Sequence, residues 1–151
     1  MGLVGAGYAG LAGEDNTTRS DDGAIVAEGE IGAFRIRRGD CVGELSGDLV
    51  ESTTGVPCSE PHANEVYHAF NMVGSDGQWP GTDATEQVAF DGCFDAFEPF
   101  VGEPYDTSIY GFTYLYPTEQ SWESVDDREV LCLVNHYDGT LKTGSARNTA
   151  R

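Results

Sequence analysis

The sequence predicts an α+β fold: a small, mostly antiparallel sheet of about five strands packed on one main helix, with two disulfides. Three observations carry this expectation. Short segments rich in apolar residues recur between turn residues, as in strands joined by tight connections. Only one stretch, residues 82–102, has a clear helical spacing, and it falls between the third strand and the fourth, whereas a doubly wound fold alternates helix with strand throughout. Four cysteines, at 41, 58, 93 and 132, are an even number with no C-x-x-C, which suits disulfides in an exported protein better than a zinc ribbon or a thioredoxin-type redox pair.

Residues 1–13 carry no charge and five glycines. Gly5-Ala6-Gly7-Tyr8-Ala9-Gly10 fits a dinucleotide fingerprint in letters only, since four residues before it leave no room for a strand and Leu-Ala-Gly-Glu-Asp-Asn after it does not open a helix. Thirteen apolar residues are too short to span about 30 Å of hydrocarbon, so the segment reads as the remnant or outer end of a membrane anchor. Residues 14–30 read as a polar tether with a turn at Asp21-Asp22-Gly23 and a short strand at Ala24-Ile25-Val26; their acids lack the spacing of a calcium loop.

In Ile31 to Arg38, Phe34 and Ile36 alternate with Arg35 and Arg37, which predicts a half-buried strand whose arginines pair with carboxylates of a neighbour. Leu49–Thr54 and Asn64–Val73 are the next two strands. Between them Pro57 and Pro61, which cannot donate to a sheet ladder, hold Cys58-Ser59-Glu60 in a stiff corner. In 82–102, Phe90, Cys93, Phe94, Phe97 and Val101 form one apolar stripe, Thr82 or Asp83 is placed to cap the start, and Gly102 to end it. Gly92 costs this helix about 1 kcal/mol against alanine, so packing must outweigh propensity there. Ser108–Tyr116 is a strand ended by Pro117, and Trp122 lies in the polar loop that follows, lidding one end of the core. Glu129–Val134 is apolar on both faces and reads as the central strand, with Val130, Cys132 and Val134 on one face and Leu131 and Leu133 on the other. Cys93 on the helix stripe then faces Cys132, which leaves Cys41 with Cys58.

A net charge of 8 − 26 = −18 disfavours nucleic acid and anionic lipid as partners, because both are themselves negatively charged. The spacings imply no cofactor and no metal; Cys58 and His62 at C-x-x-x-H are too few for a zinc site. The polar residues of note are Glu60, His62 and Glu65 around the proline corner, with Trp122 as a further candidate for a binding surface. A histidine between a proline and a strand suits a hydrogen-bonding brace. The competing reading is a hydrolase using His62 with Glu60 or Glu65, or Ser59 as nucleophile, which lacks the G-x-S-x-G elbow.

The order of Gly39-Asp40-Cys41, Val56-Pro57-Cys58-Ser59-Glu60-Pro61-His62, Glu65-Val66-Tyr67, Pro80-Gly81, Cys93, Pro117-Thr118, Trp122, Asp127-Arg128, Cys132 and Thr143-Gly144-Ser145 resembles the septum-formation family of actinobacterial envelope proteins, over residues 19–146. One departure is Asp126, where the family commonly has glycine before the Asp-Arg pair. The resemblance implies an extracytoplasmic domain behind a membrane anchor, and it carries no catalytic residue. The expected organisation is therefore a 1–13 anchor remnant, a 14–30 tether, one domain over 31–146 and a 147–151 tail. The expected role is a non-catalytic envelope module that binds a protein or cell-wall partner and touches the membrane only through its first residues. A subunit of a larger surface assembly is the alternative.

Overall fold

A computed structural model describes residues 14–73 and 77–151; the expected anchor remnant at 1–13, and most of the turn at 74–77, lie outside the described residues. Strands β1 (Thr18–Arg19) and β2 (Ile25–Ala27) pair as a small ribbon. Strands β3 (Gly29–Gly32), β4 (Cys41–Val42), β5 (Ser52–Val56), β6 (Asn64–Asn71), β7 (Tyr110–Leu115) and β8 (Glu129–His136) form one antiparallel sheet in the order β3-β5-β4-β6-β8-β7. The main helix α1 is Thr82–Val101 and a short helix α2 is Glu119–Val125. The fold is thus α+β with one main helix, as the sequence implies.

Strand β8 lies between β6 and β7, and its two apolar faces feed two cores. Val130, Cys132 and Val134 pack under α1 with Tyr67, Phe97, Phe112 and Tyr114. Leu131 and Leu133 join Ile31, Val42, Val50 and Val66 in the second core. Ile31 belongs to the far edge strand, so the sheet must curl for these residues to meet. Each fully buried residue of this kind contributes about 1.5–3 kcal/mol by leaving water.

Both expected disulfides are formed. Cys93 joins Cys132, fixing α1 to the sheet with Cα atoms 5.4 Å apart, and Cys41 joins Cys58, tying β4 to the proline corner with Cα atoms 5.2 Å apart. The Tyr67 hydroxyl adds a 2.6 Å hydrogen bond to the Cys93 carbonyl beside the first of these.

Four local expectations need correction. The 31–38 strand stops at Gly32: Ala33–Arg35 is a 3-10 turn, which folds Ala33 and Ile36 into the second core. On the neighbouring ribbon, the Arg19 guanidinium binds both oxygens of buried Asp40 at 2.7 and 2.8 Å and Asp15 at 2.8 Å. The stripe of α1 is rotated toward Thr85, Ala89, Cys93, Phe97, Phe100 and Val101, leaving Phe90 and Phe94 40% and 43% exposed. Its N-cap is Gly81 with φ +100°, which makes no side-chain cap, while Gly102 in the left-handed conformation ends the helix as expected. Trp122 sits on α2, not in a loop, and is buried.

Residues 14–30, read as a tether, are packed against the domain. Asn16 donates to the Glu30 carbonyl and Gly32 donates to the Glu14 carbonyl, so this segment covers the β3 edge. Gly29 makes the approach possible, because a Cβ there would lie 2.1 Å from the Asn16 carbonyl oxygen. The 147–151 tail is also fastened: the Asn148 and Ala150 amides donate to the Phe100 and Val101 carbonyls at the end of α1.

Candidate functional site

The proline corner brings His62 and Glu65 together with a residue the sequence reading missed, Lys142. His62 and Lys142 form a two-hydrogen-bond backbone bridge, each amide donating to the other's carbonyl at 2.9 Å. The three side chains are only 2%, 4% and 4% exposed for His62, Glu65 and Lys142. Lys142 Nζ has three protons and three acceptors: His62 Nε2 at 3.0 Å, Glu65 Oε1 at 3.0 Å and the Gly144 carbonyl at 2.9 Å.

The partners fix the histidine tautomer. His62 Nδ1 lies 2.7 Å from the Glu60 carbonyl, which can only accept, so Nδ1 carries the proton and Nε2 receives one from Lys142. Burial pushes the ring below the ordinary histidine range, and the Lys142 ammonium acts in the same direction. The Glu65 carboxylate is engaged on both oxygens, Oε1 by Lys142 and the Ala146 amide at 2.9 Å, Oε2 by the Ser145 hydroxyl at 2.5 Å. Gly144 closes the corner by donating to the Cys58 carbonyl at 2.6 Å.

Chemically, this is a saturated cluster. All three protons of Lys142 and both ring nitrogens of His62 are engaged within the cluster, and each Glu65 oxygen accepts from inside it, from Lys142, the Ala146 amide or the Ser145 hydroxyl. Lys142 stands between His62 and Glu65, so the pair does not form the base-and-orienter contact a nucleophilic site requires. Ser59 and the Glu60 side chain are exposed, and Glu60 enters the cluster only through its carbonyl. The Cys58 sulfur is bonded to Cys41 and is not a free ligand for a metal.

Trp122 is not brought to this cluster. Thr118 and Ser121 form a capping box that starts α2, and the Trp122 indole donates to the Gly77 carbonyl at 2.9 Å under the Arg128 guanidinium, 3.5 Å above the ring. Asp126 ends α2 in the left-handed conformation with φ 58°, a backbone that glycine adopts most readily, and its carboxylate pairs with Arg128 at 3.0 Å. Among the candidate surface residues, then, only Glu60 is at the surface. The signal that could have found Lys142 is compositional: it is the only lysine in the sequence.

A disulfide-clamped α+β domain whose most distinctive motif is an internal brace is the class these features define. The chain belongs to the septum-formation family: the family model described as "Septum formation" matches residues 38–151, from just before β4 onward. Two curated relatives, each described as "Putative lipoprotein LppN", come from Mycobacterium tuberculosis (strain ATCC 25618 / H37Rv) and Mycobacterium bovis (strain ATCC BAA-935 / AF2122/97). Each is 35% identical over 118 residues, covering 76% of this chain and 63% of the relative, so the chain spans less than two thirds of their length. No solved structure matches it.

Proposed function

We propose that this chain is a non-catalytic, extracytoplasmic module of the cell envelope that binds a protein or cell-wall partner. The observation that carries the reading is the saturated His62–Glu65–Lys142 cluster: the residues best suited to chemistry are spent on holding the 58–65 corner to 142–146. Two disulfides favour an oxidising compartment. Similarity to proteins described as lipoproteins supports a position at a membrane surface. None of the described helices is long and apolar enough to cross a membrane.

Two measurements test this. Protease or impermeant-label accessibility on intact cells should find the domain outside the cytoplasmic membrane, with a mass about four daltons lower unreduced than reduced, one proton-and-electron pair per thiol. His62→Gln should lower the melting temperature, as a brace requires. An unchanged melting temperature together with loss of a hydrolytic activity in extracts would replace this reading with the hydrolase.

A further inference from the structure

The rotated stripe of α1 leaves an aromatic surface in water. Phe90 and Phe94 stack on each other with ring centroids 5.8 Å apart, and Phe94 continues to Tyr105 at 5.9 Å. Beside them is a cleft of about 630 Å³ between the last turns of α1 and the 3-10 turn Tyr105–Thr107, floored by Phe94, Phe97 and Tyr105. Three sources of negative potential converge on it. Its charged lining residues are all acidic, Asp95, Glu98 and Asp106, and none of them makes an ion pair among the described residues. The C-terminal end of α1, the negative pole of its dipole, borders the cleft and has no basic residue in its last turn. Pro99, also in the lining, has no N–H to give the Asp95 carbonyl one turn back. Two arginines are near this helix end and neither is in the lining: Arg147 lies over the Phe100 ring, and Arg151 is tied through its carbonyl to the Ile109 amide and the Ser108 hydroxyl.

We propose that this cleft docks an arginine- or lysine-bearing segment of a partner protein, the cation lying against the Phe94 and Tyr105 rings within reach of Asp95, Glu98 and Asp106. The proposal names a partner class for the binding role argued above and rests on that reading. Aromatic faces attract cations, and the carboxylates fix where the charge sits. The same charge argues against the other occupants of an exposed apolar face. A second copy would bring another acidic surface of a −18 chain against this one, and anionic lipid or nucleic acid would be repelled.

The test uses the full chain and an N-acetylated heptapeptide with two arginines and two leucines, followed by amide chemical-shift mapping in about 150 mM salt, which screens diffuse attraction. Shifts should concentrate in residues 90–106. Phe94→Ser with Glu98→Gln, at an exposed ring and a cleft-rim acid, should weaken binding roughly ten-fold with little change in melting temperature, while Asp48→Asn with Glu51→Gln, on the exposed loop before β5, should leave it unchanged. Absence of binding, shifts scattered over the acidic surface, or equal weakening by both variant pairs would overturn the proposal. None of these outcomes bears on which side of the membrane the domain lies, so the accessibility measurement stands apart.

Discussion

Lys142 is a buried cation whose cost of leaving water is offset by three acceptors, one of them a carboxylate. Removing it would strand Glu65. Lys142→Met should therefore lose about 3–5 kcal/mol in urea unfolding, and adding Glu65→Gln should recover part of the loss, because the double variant no longer buries a lone charge. His62 gives the cluster a pH dependence. Its folded pKa is lowered from 6.5 by burial, so the unfolded chain binds a proton that the folded chain refuses. Stability should be full above about pH 6.5 and fall as the pH drops through that value toward the folded pKa. Burial of Asp127 and Glu129 raises their pKa values and works in the opposite sense, so the check is the difference between wild type and His62→Gln in melting temperature from pH 7 to pH 5. A flat difference would show that the ring does not titrate in this way. Lys142 was missed in the sequence because its partners lie 77 and 80 residues away, beyond any local pattern. His62 was legible as a brace because a proline and a strand on either side already fix its backbone.

At the scale of elements, Gly92 shows why propensity is a poor guide to α1. A Cβ at this position would lie 2.3 Å from Cζ of Phe70 on β6, so this ring seats against the helix only because residue 92 is glycine. Gly92→Ala should destabilise by about 1–3 kcal/mol, since the ring must swing out of its seat. In a Phe70→Ala background the sign should reverse, with the same substitution stabilising by about 1 kcal/mol, the ordinary helix preference. A double-mutant cycle by thermal unfolding reads both. Strand β8 was plain in the sequence because Val130–Val134 is apolar at every position, whereas the stripe of α1 holds for Cys93, Phe97 and Val101 but not for Phe90 and Phe94. Phenylalanines at 90 and 94 mimic a core stripe by hydrophobicity alone, and only the sheet beneath decides that Ala89 faces it in place of Phe90. Helix α2 was passed over because seven residues carry too little periodicity, although Thr118 and Ser121 at capping-box spacing were there to be read.

For the molecule as a whole, the disulfides close loops of 17 and 39 residues and contribute about 3 and 4 kcal/mol in the chain-entropy account. They differ in access. Cys93 and Cys132 are both fully buried, whereas only Cys41 of the other pair is, and its partner Cys58 is half-buried at the corner. Graded reduction followed by alkylation and mass analysis should therefore open Cys41–Cys58 first, and Cys93–Cys132 only as the fold is lost. The pairing could be read from the sequence once the helix and central strand were placed. The fastening of residues 14–30 could not, since it depends on Arg19 meeting Asp40 across 21 residues and on Gly29 lying against the Asn16 backbone.

The brace also sets an order of events. Glu65 belongs to the first half of the chain and its cation to the last tenth, so a nascent polypeptide carries this carboxylate without its counter-charge until residue 142 has left the ribosome. The sheet needs no residue beyond 136, but the corner locks only when the stretch 142–146 arrives. Closure of the corner therefore waits for residues 142–146, and a chain stopped short of them would leave Glu65 without the cation, hydroxyl and amide that engage it.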